Sequence, residues 1–138
     1  MNLTQVVNNT LKAFRRDVPE YVGSGVVDLS TGMLLDADTV DDHPRDLIDM
    51  LAAATADLFE GRTITQIEQM WREYRGTHDD GGHYFQEILI YSNSLVHLFM
   101  RSPSNVEIVA AVVCRRTVNI GMFFATARQA MRELEEAR

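Results

Sequence analysis

Leu3, Val6, Val7, Leu11 and Phe14 recur at three- and four-residue intervals, a spacing that predicts an amphipathic helix at the start of the chain. Asn2 followed three residues on by Gln5 has the form of a capping box, and Val18-Pro19 stops the helix because proline lacks an amide hydrogen. Tyr21–Asp28 and Met33–Ala37 then read as two short strands. Gly32, closing Leu29-Ser30-Thr31-Gly32, can supply the positive φ of a tight hairpin. Gly23 and Gly25 inside the first strand predict a bulge or a close backbone approach and not a phosphate loop. A second helix follows, with Asp42 as its cap and Pro44 in its first turn. Its apolar stripe is Leu47, Met50, Leu51, Ala54, Leu58 and Phe59, and Gly61 marks its end. A further helix opens on the capping box Thr65-Gln-Ile-Glu68 and keeps Ile64, Ile67, Met70, Trp71 and Tyr74 on one face. Gly76–Gly82 reads as a flexible loop.

The last third of the chain decides the architecture. Tyr84–Tyr91 and Leu95–Arg101 are β-forming runs split by Ser92, Asn93 and Ser94, and the apolar run Ile108–Cys114 predicts a third strand. A closing helix spans about Asn119 to Glu136, burying Ile120, Phe123, Phe124, Ala127, Met131 and Leu134. A two-residue turn at Ser92-Asn93 would set Tyr91 opposite Ser94, Leu89 opposite Val96 and Phe85 opposite Met100. Phe85, Leu89, Val96, Leu98 and Met100 then share one face, and Ile88, Ile90, Leu95 and Phe99 the other. A sheet apolar on both faces must be covered on both. The expected fold is therefore a three-layer α/β/α sandwich around a five-stranded antiparallel sheet, in the order α-β-β-α-(α)-β-β-β-α. This sheet-building unit leaves no room for a catalytic loop, which argues against an enzyme.

With 138 residues, 46% apolar and 24% charged, the chain is expected to form one domain over residues 1–138, with a helical insertion at about 62–82. A net charge of −7 disfavours nucleic acid and anionic membranes as partners. Cys114, the single cysteine, sits in an apolar run and reads as a small buried hydrophobe. No segment resembles a signal peptide or approaches the roughly 20 apolar residues of a membrane span, so a cytoplasmic location without membrane insertion is expected.

Candidate chemistry is sparse. There is no GxxxxGK[ST] phosphate loop and no G-x-S-x-G elbow. His78, Asp79, Asp80 and His83 are four potential metal ligands within six residues, but glycines intervene, the loop looks mobile and no fixed helical i,i+4 pair presents them. They read as a solvated loop, with no metal or cofactor expected. Asp36, Asp38, Asp41 and Asp42 read as a solvated loop plus a helix cap, the functional reading being a docking patch for a basic partner. His97 is expected to be partly buried and hydrogen-bonded. Trp71 and Tyr74 read as packing residues of the extra helix; exposed, they would be interface anchors. Nothing singles out Arg15, Arg16, Arg45 or Arg62 as an arginine finger. The strand Tyr84–Tyr91, outermost in its meander, holds only Glu87 as an internal charge and is an unprotected edge unless another chain covers it.

Three segments carry a family likeness: Val26-Val27-Asp28-Leu29-Ser30-Thr31-Gly32, the Ala/Leu-rich Leu47–Phe59, and Val118-Asn119-Ile120-Gly121-Met122 leading into Phe123–Leu134. Together with the element order they resemble the roadblock family, named from a dynein light chain and including many bacterial members. The segment Arg62–Gly82 departs from the family's compact pattern. The resemblance implies a profilin/roadblock-like fold and a homodimer or heterodimer whose second helices pair and whose third strands meet edge to edge. It also implies a non-enzymatic role, as a scaffold or as a GTPase-activating partner of Ras-like small GTPases. The expected interface comprises Leu51 and Leu58 on the second helix and Phe85, Ile88 and Ile90 on the third strand, with Trp71 on the extra helix. A PAS- or GAF-like small-molecule sensor is the alternative, and it would need an internal pocket.

Overall fold

The computed structural model describes residues 2–41, 45–75 and 85–136. The elements are α1 (Leu3–Asp17), β1 (Tyr21–Asp28), β2 (Met33–Thr39), α2 (Arg45–Glu60), α3 (Arg62–Arg75), β3 (Glu87–Tyr91), β4 (Leu95–Arg101), β5 (Ile108–Arg115) and α4 (Ile120–Glu136). The five strands form one antiparallel sheet in the order β2-β1-β5-β4-β3, so β2 and β3 are its edges.

Local chemistry sets the element ends. The Asn2 side chain accepts the Gln5 amide at 2.9 Å while Gln5 reaches back to the Asn2 amide, closing the expected capping box. Gly32 turns the first hairpin at φ 72°, where a side chain would be strained. The Asn119 side chain accepts the Met122 amide at 3.0 Å and caps α4. The glycines of β1 flank two register shifts, one against β5 at Tyr21/Gly23 and one against β2 at Val26/Val27. A Cβ on Gly23 would lie 3.0 Å from the Asp38 carbonyl oxygen, so crowding by β2 keeps that position bare.

One face of the sheet carries α1 and α4. Val7, Leu11 and Phe14 meet Phe123, Ala127 and Ala130 over Val26, Val96, Leu98 and Val112, forming the larger core. Burial of each large side chain there is worth about 1.5–3 kcal/mol. The opposite face carries α2, whose Phe59 packs with Leu29, Phe99 and Val109. Cys114 is fully buried on the α1/α4 side, and burial pushes its thiol up to about 12.

Four local expectations are corrected. The β3–β4 register is two residues longer at the turn: Tyr91 opposes Val96, Leu89 opposes Leu98 and Glu87 opposes Met100. Ser92 and Leu95 close this wider turn, the Ser92 amide donating to the Leu95 carbonyl at 2.9 Å. Because the slip is even, every side chain keeps its expected face. Phe85 precedes β3, and Tyr84 lies outside the described residues. Thr65 is inside α3, its hydroxyl bonded to the Arg62 carbonyl at 2.9 Å, so the capping box does not form. The cap and first turn expected at Asp42 and Pro44, and the loop Gly76–Gly82, also lie outside the described residues.

The fourth correction concerns α2. Among its described side chains α2 buries Ala52, Thr55 and Phe59, at three- and four-residue spacing, whereas Met50 and Leu51 are 70% and 54% exposed; the side chain of Leu47 lies outside those described. Its apolar arc is wider than one sheet face can cover.

Candidate functional site

The site builds from β3 outward. Its single charge, Glu87, is clasped by Arg128 of α4 through two bonds of 2.9 and 2.6 Å, and the same guanidinium lies 4.5 Å from the Phe124 ring centroid. The pairing raises the Arg128 pKa, chiefly through the hydrogen bonds to Glu87. The other edge, β2, bears Asp36 and Asp38, charges that discourage a further strand. Asp38 is held by Arg15 at 2.8 Å and by the Tyr21 hydroxyl at 2.7 Å, and burial raises the Tyr21 pKa.

Ile88 and Ile90 point from β3 to the α2 side, where they join Leu58 around Phe59 and Phe99. Leu58 and Leu51 also line an apolar groove of about 460 Å³ between α2 and the sheet. Gly25, Ala37 and Ala111 give that groove a floor of small residues, and Leu95 and Val113 wall it near the β4 end. His97 is its titratable wall residue among those described. It shares a hydrogen bond of 3.2 Å with Ser92 and stacks on Phe99 at 6.4 Å, and burial lowers its pKa.

Arg101 ties these parts together. Its side chain is fully buried; Nε donates to the Phe85 carbonyl at 3.1 Å and Nη1 to the Val106 carbonyl at 2.6 Å. Glu60 stands 3.6 Å from Nη1, and the Phe59 ring centroid is 5.1 Å from the guanidinium carbon. One side chain therefore joins the end of α2, the entry to β3 and the β4–β5 turn.

Of the six interface residues expected from sequence, Leu58, Ile88 and Ile90 come together in one cluster and Leu51 adjoins it along the groove. Phe85 is half-buried and is held through its carbonyl by Arg101. Trp71 stands apart on α3. It is 41% exposed and Tyr74 84%, which corrects their reading as packing residues, because α3 turns Ile64 and Glu68 inward instead. Met50 and Arg101 were missed. The excess width of the apolar arc on α2 is the signal that would have found Met50. A lone strand-end arginine gives no such signal. The His78, Asp79, Asp80 and His83 group lies outside the described residues, and among those described no cluster of three or more His, Cys, Asp or Glu could hold a metal ion. No helix among them is long and apolar enough to cross a membrane.

An antiparallel five-stranded sheet with α1 and α4 on one face, α2 on the other and β3 at an edge is the roadblock-type fold. Among solved structures, the gliding protein MglB of Thermus thermophilus matches with a TM-score of 0.69 at 15% identity, covering 97% of this chain and 90% of that one. MglB of Myxococcus xanthus matches at 0.69 with 13% identity, over 99% and 97% of the two chains. A Roadblock/LC7 domain from Streptomyces avermitilis matches at 0.61 with 13% identity, over 99% and 98%. No protein-family model and no curated protein matches the chain by sequence. At such identities the likeness is one of fold.

Proposed function

We propose that this chain is a self-associating roadblock-type regulatory or scaffold module that binds a Ras-like small GTPase or its signalling complex and stimulates or organises it without catalysing a reaction of its own. The observation that carries this reading is the β3 edge. It is apolar, its one charge is sequestered by Arg128, and it lies beside a helix that turns Met50 and Leu51 to solvent. An edge and a helix face of that kind on one side of a molecule are the two halves of a β-augmented, helix-paired interface. The fold's likeness to MglB structures, one of them described with a tetrameric arrangement, supports self-association, and MglC of Myxococcus xanthus shares the fold at a TM-score of 0.55.

The groove gives the small-molecule sensor reading a specific foothold. It continues along the exposed flank of α2 through Leu51 and Leu58 and does not close around a ligand, which favours a protein partner. Sedimentation of the purified chain, followed by a single-turnover GTPase assay with the Ras-like protein retained from the native host, tests the proposal. A dimer that binds that GTPase supports it; a monomer that leaves every such GTPase unbound overturns it.

A further inference from the structure

The backbone bonds of β3 show which of its groups are left for a partner. The Arg101 amide donates to the Gln86 carbonyl at 2.8 Å and the Ser92 amide to the Leu95 carbonyl at 2.9 Å, one bond at each end of the strand. Bonded pairs alternate along an antiparallel ladder, so Ile88 with Phe99 and Ile90 with His97 are the bonded pairs between them. Glu87, Leu89 and Tyr91 therefore turn their amides and carbonyls away from β4, and β3 is the last strand of the sheet. The side chains divide in step. Leu89 packs on the α1/α4 core, Ile88 and Ile90 pack on the α2 side, and alternation puts Glu87 and Tyr91 with Leu89.

The two ends of this edge carry opposite charges. At the entry stands Glu87, whose carboxylate has about four acceptor positions and gives two of them to Arg128. At the exit stands Tyr91, half exposed, with the Arg116 guanidinium carbon 5.1 Å from its ring centroid. Arg116 also donates from Nη1 to the Ser92 carbonyl at 3.1 Å and from its amide to the Ser94 carbonyl at 3.2 Å, which fix the group in place. It is exposed and meets no carboxylate among the described residues.

We infer that two copies of this chain pair their β3 edges with Leu89 on the two-fold axis, and that Arg116 of each copy takes Glu87 of the other. The inference rests on the edge-to-edge self-association proposed above and adds its register and its selecting contact. With Leu89 on the axis, Glu87 stands opposite Tyr91 of the second copy, and every outward amide and carbonyl of both edges is paired. A slide of two residues leaves outward groups at the strand ends unbonded, and a slide of one sets outward groups against inward ones. Opposed residues of a bonded pair are about 5.5 Å apart at Cα, so Glu87 is within reach of the guanidinium seated on the opposing Tyr91. On the other face Ile88 meets Ile90 of the second copy, an apolar cross-strand pair. A strand that is acidic at its entry and cationic at its exit fits its own copy run in the opposite direction. The edge strand β2, whose charges are Asp36 and Asp38, has no such self-match.

Complementary charge reversal tests the contact. In a homodimer Arg116→Glu sets two carboxylates together at each end of the pair, and Glu87→Arg sets two guanidiniums together. Each variant is expected to raise the dimer dissociation constant about 30-fold in sedimentation. An equimolar mixture of the two should form a heterodimer at close to the native dissociation constant, because both ends are then matched. The register is read on the native chain. In a sample mixed from isotopically labelled and unlabelled protein, an intermolecular Overhauser effect is expected between the α protons of Ile88 and Ile90, a non-bonded pair about 4.5 Å apart at Cα. That measurement needs no substitution, so it decides even where Glu87→Arg fails to fold for want of the Arg128 pair. A dimer without this effect, or Arg116→Glu dimerising as tightly as the native chain, overturns the register and contact and leaves self-association standing. So does a mixture of two folded variants that associates no better than either alone. A native chain that is monomeric at every concentration overturns the inference together with self-association, and assigns the edge to a strand of another protein.

Discussion

A guanidinium sealed among backbone carbonyls is an expensive group to bury unless its bonds are made; Arg101 makes them from Nε and Nη1 to two chain segments that are far apart in sequence and leaves Nη2 without a hydrogen bond. Arg101→Met is expected to cost about 3 kcal/mol, because two carbonyls lose a charge-assisted donor and the Glu60 carboxylate loses its cation. Adding Glu60→Met should restore part of the loss. A denaturant double-mutant cycle measures the coupling, and a cycle that closes additively would show the pair to be energetically idle. His97 makes a pH-dependent contribution. Burial lowers its pKa below the ordinary 6.5, so the unfolded chain takes up the proton more readily than the folded one. Stability from this group is therefore full above 6.5 and is lost as pH falls from 6.5 toward the lowered folded value. Thermal unfolding between about pH 7.5 and 5.5 should fall more steeply for the native chain than for His97→Gln; parallel curves would mean that the ring titrates as if in water.

At the scale of elements, the junction of α2 and α3 depends on a missing side chain. A Cβ on Gly61 would stand 2.5 Å from the Asp57 carbonyl oxygen, a contact that only a backbone shift can relieve. Alanine is the better helix former by about 1 kcal/mol, so the two effects oppose each other. Since the obstructing atom is backbone, the clash should win, and Gly61→Ala should lower the melting temperature by about 5 °C. A rise in melting temperature would mean that α2 and α3 straighten at no cost. This junction also marks the limit of what the sequence discloses. Periodicity located the helices, the strands and their faces, because a two-residue slip in the β3–β4 turn leaves alternation untouched. It also recovered the Asn2 cap and the Gly32 turn, whose chemistry is local. It misassigned the buried stripe of α2 and the packing of Trp71 and Tyr74, because an apolar face meant for water and one meant for a core have the same period. Of the residues expected at an interface, Leu58, Ile88 and Ile90 were legible as apolar positions that the structure brings into one cluster. Arg101, whose partners are carbonyls elsewhere in the chain, was not.

At the scale of the whole molecule, the two faces of the sheet are unequal. The face under α1 and α4 is closed by large side chains, whereas the face under α2 keeps a groove of about 460 Å³ and leaves Met50 and Leu51 in water. A chain completed only by a second copy should gain stability from association, since whatever binds the folded state alone shifts unfolding by mass action. The melting temperature should therefore rise with protein concentration. Leu51→Glu tests the link. Leu51 is 54% exposed, so the carboxylate reaches water in the monomer and the fold should persist, with an unchanged circular dichroism spectrum. In a symmetric pair the same substitution sets two carboxylates against an apolar surface, and dissociation should become at least about 100-fold easier. The concentration dependence of melting should then vanish along with the dimer in sedimentation. If Leu51→Glu remains dimeric with its melting still concentration-dependent, the α2 flank lies outside the interface, and β3 alone would have to carry the association.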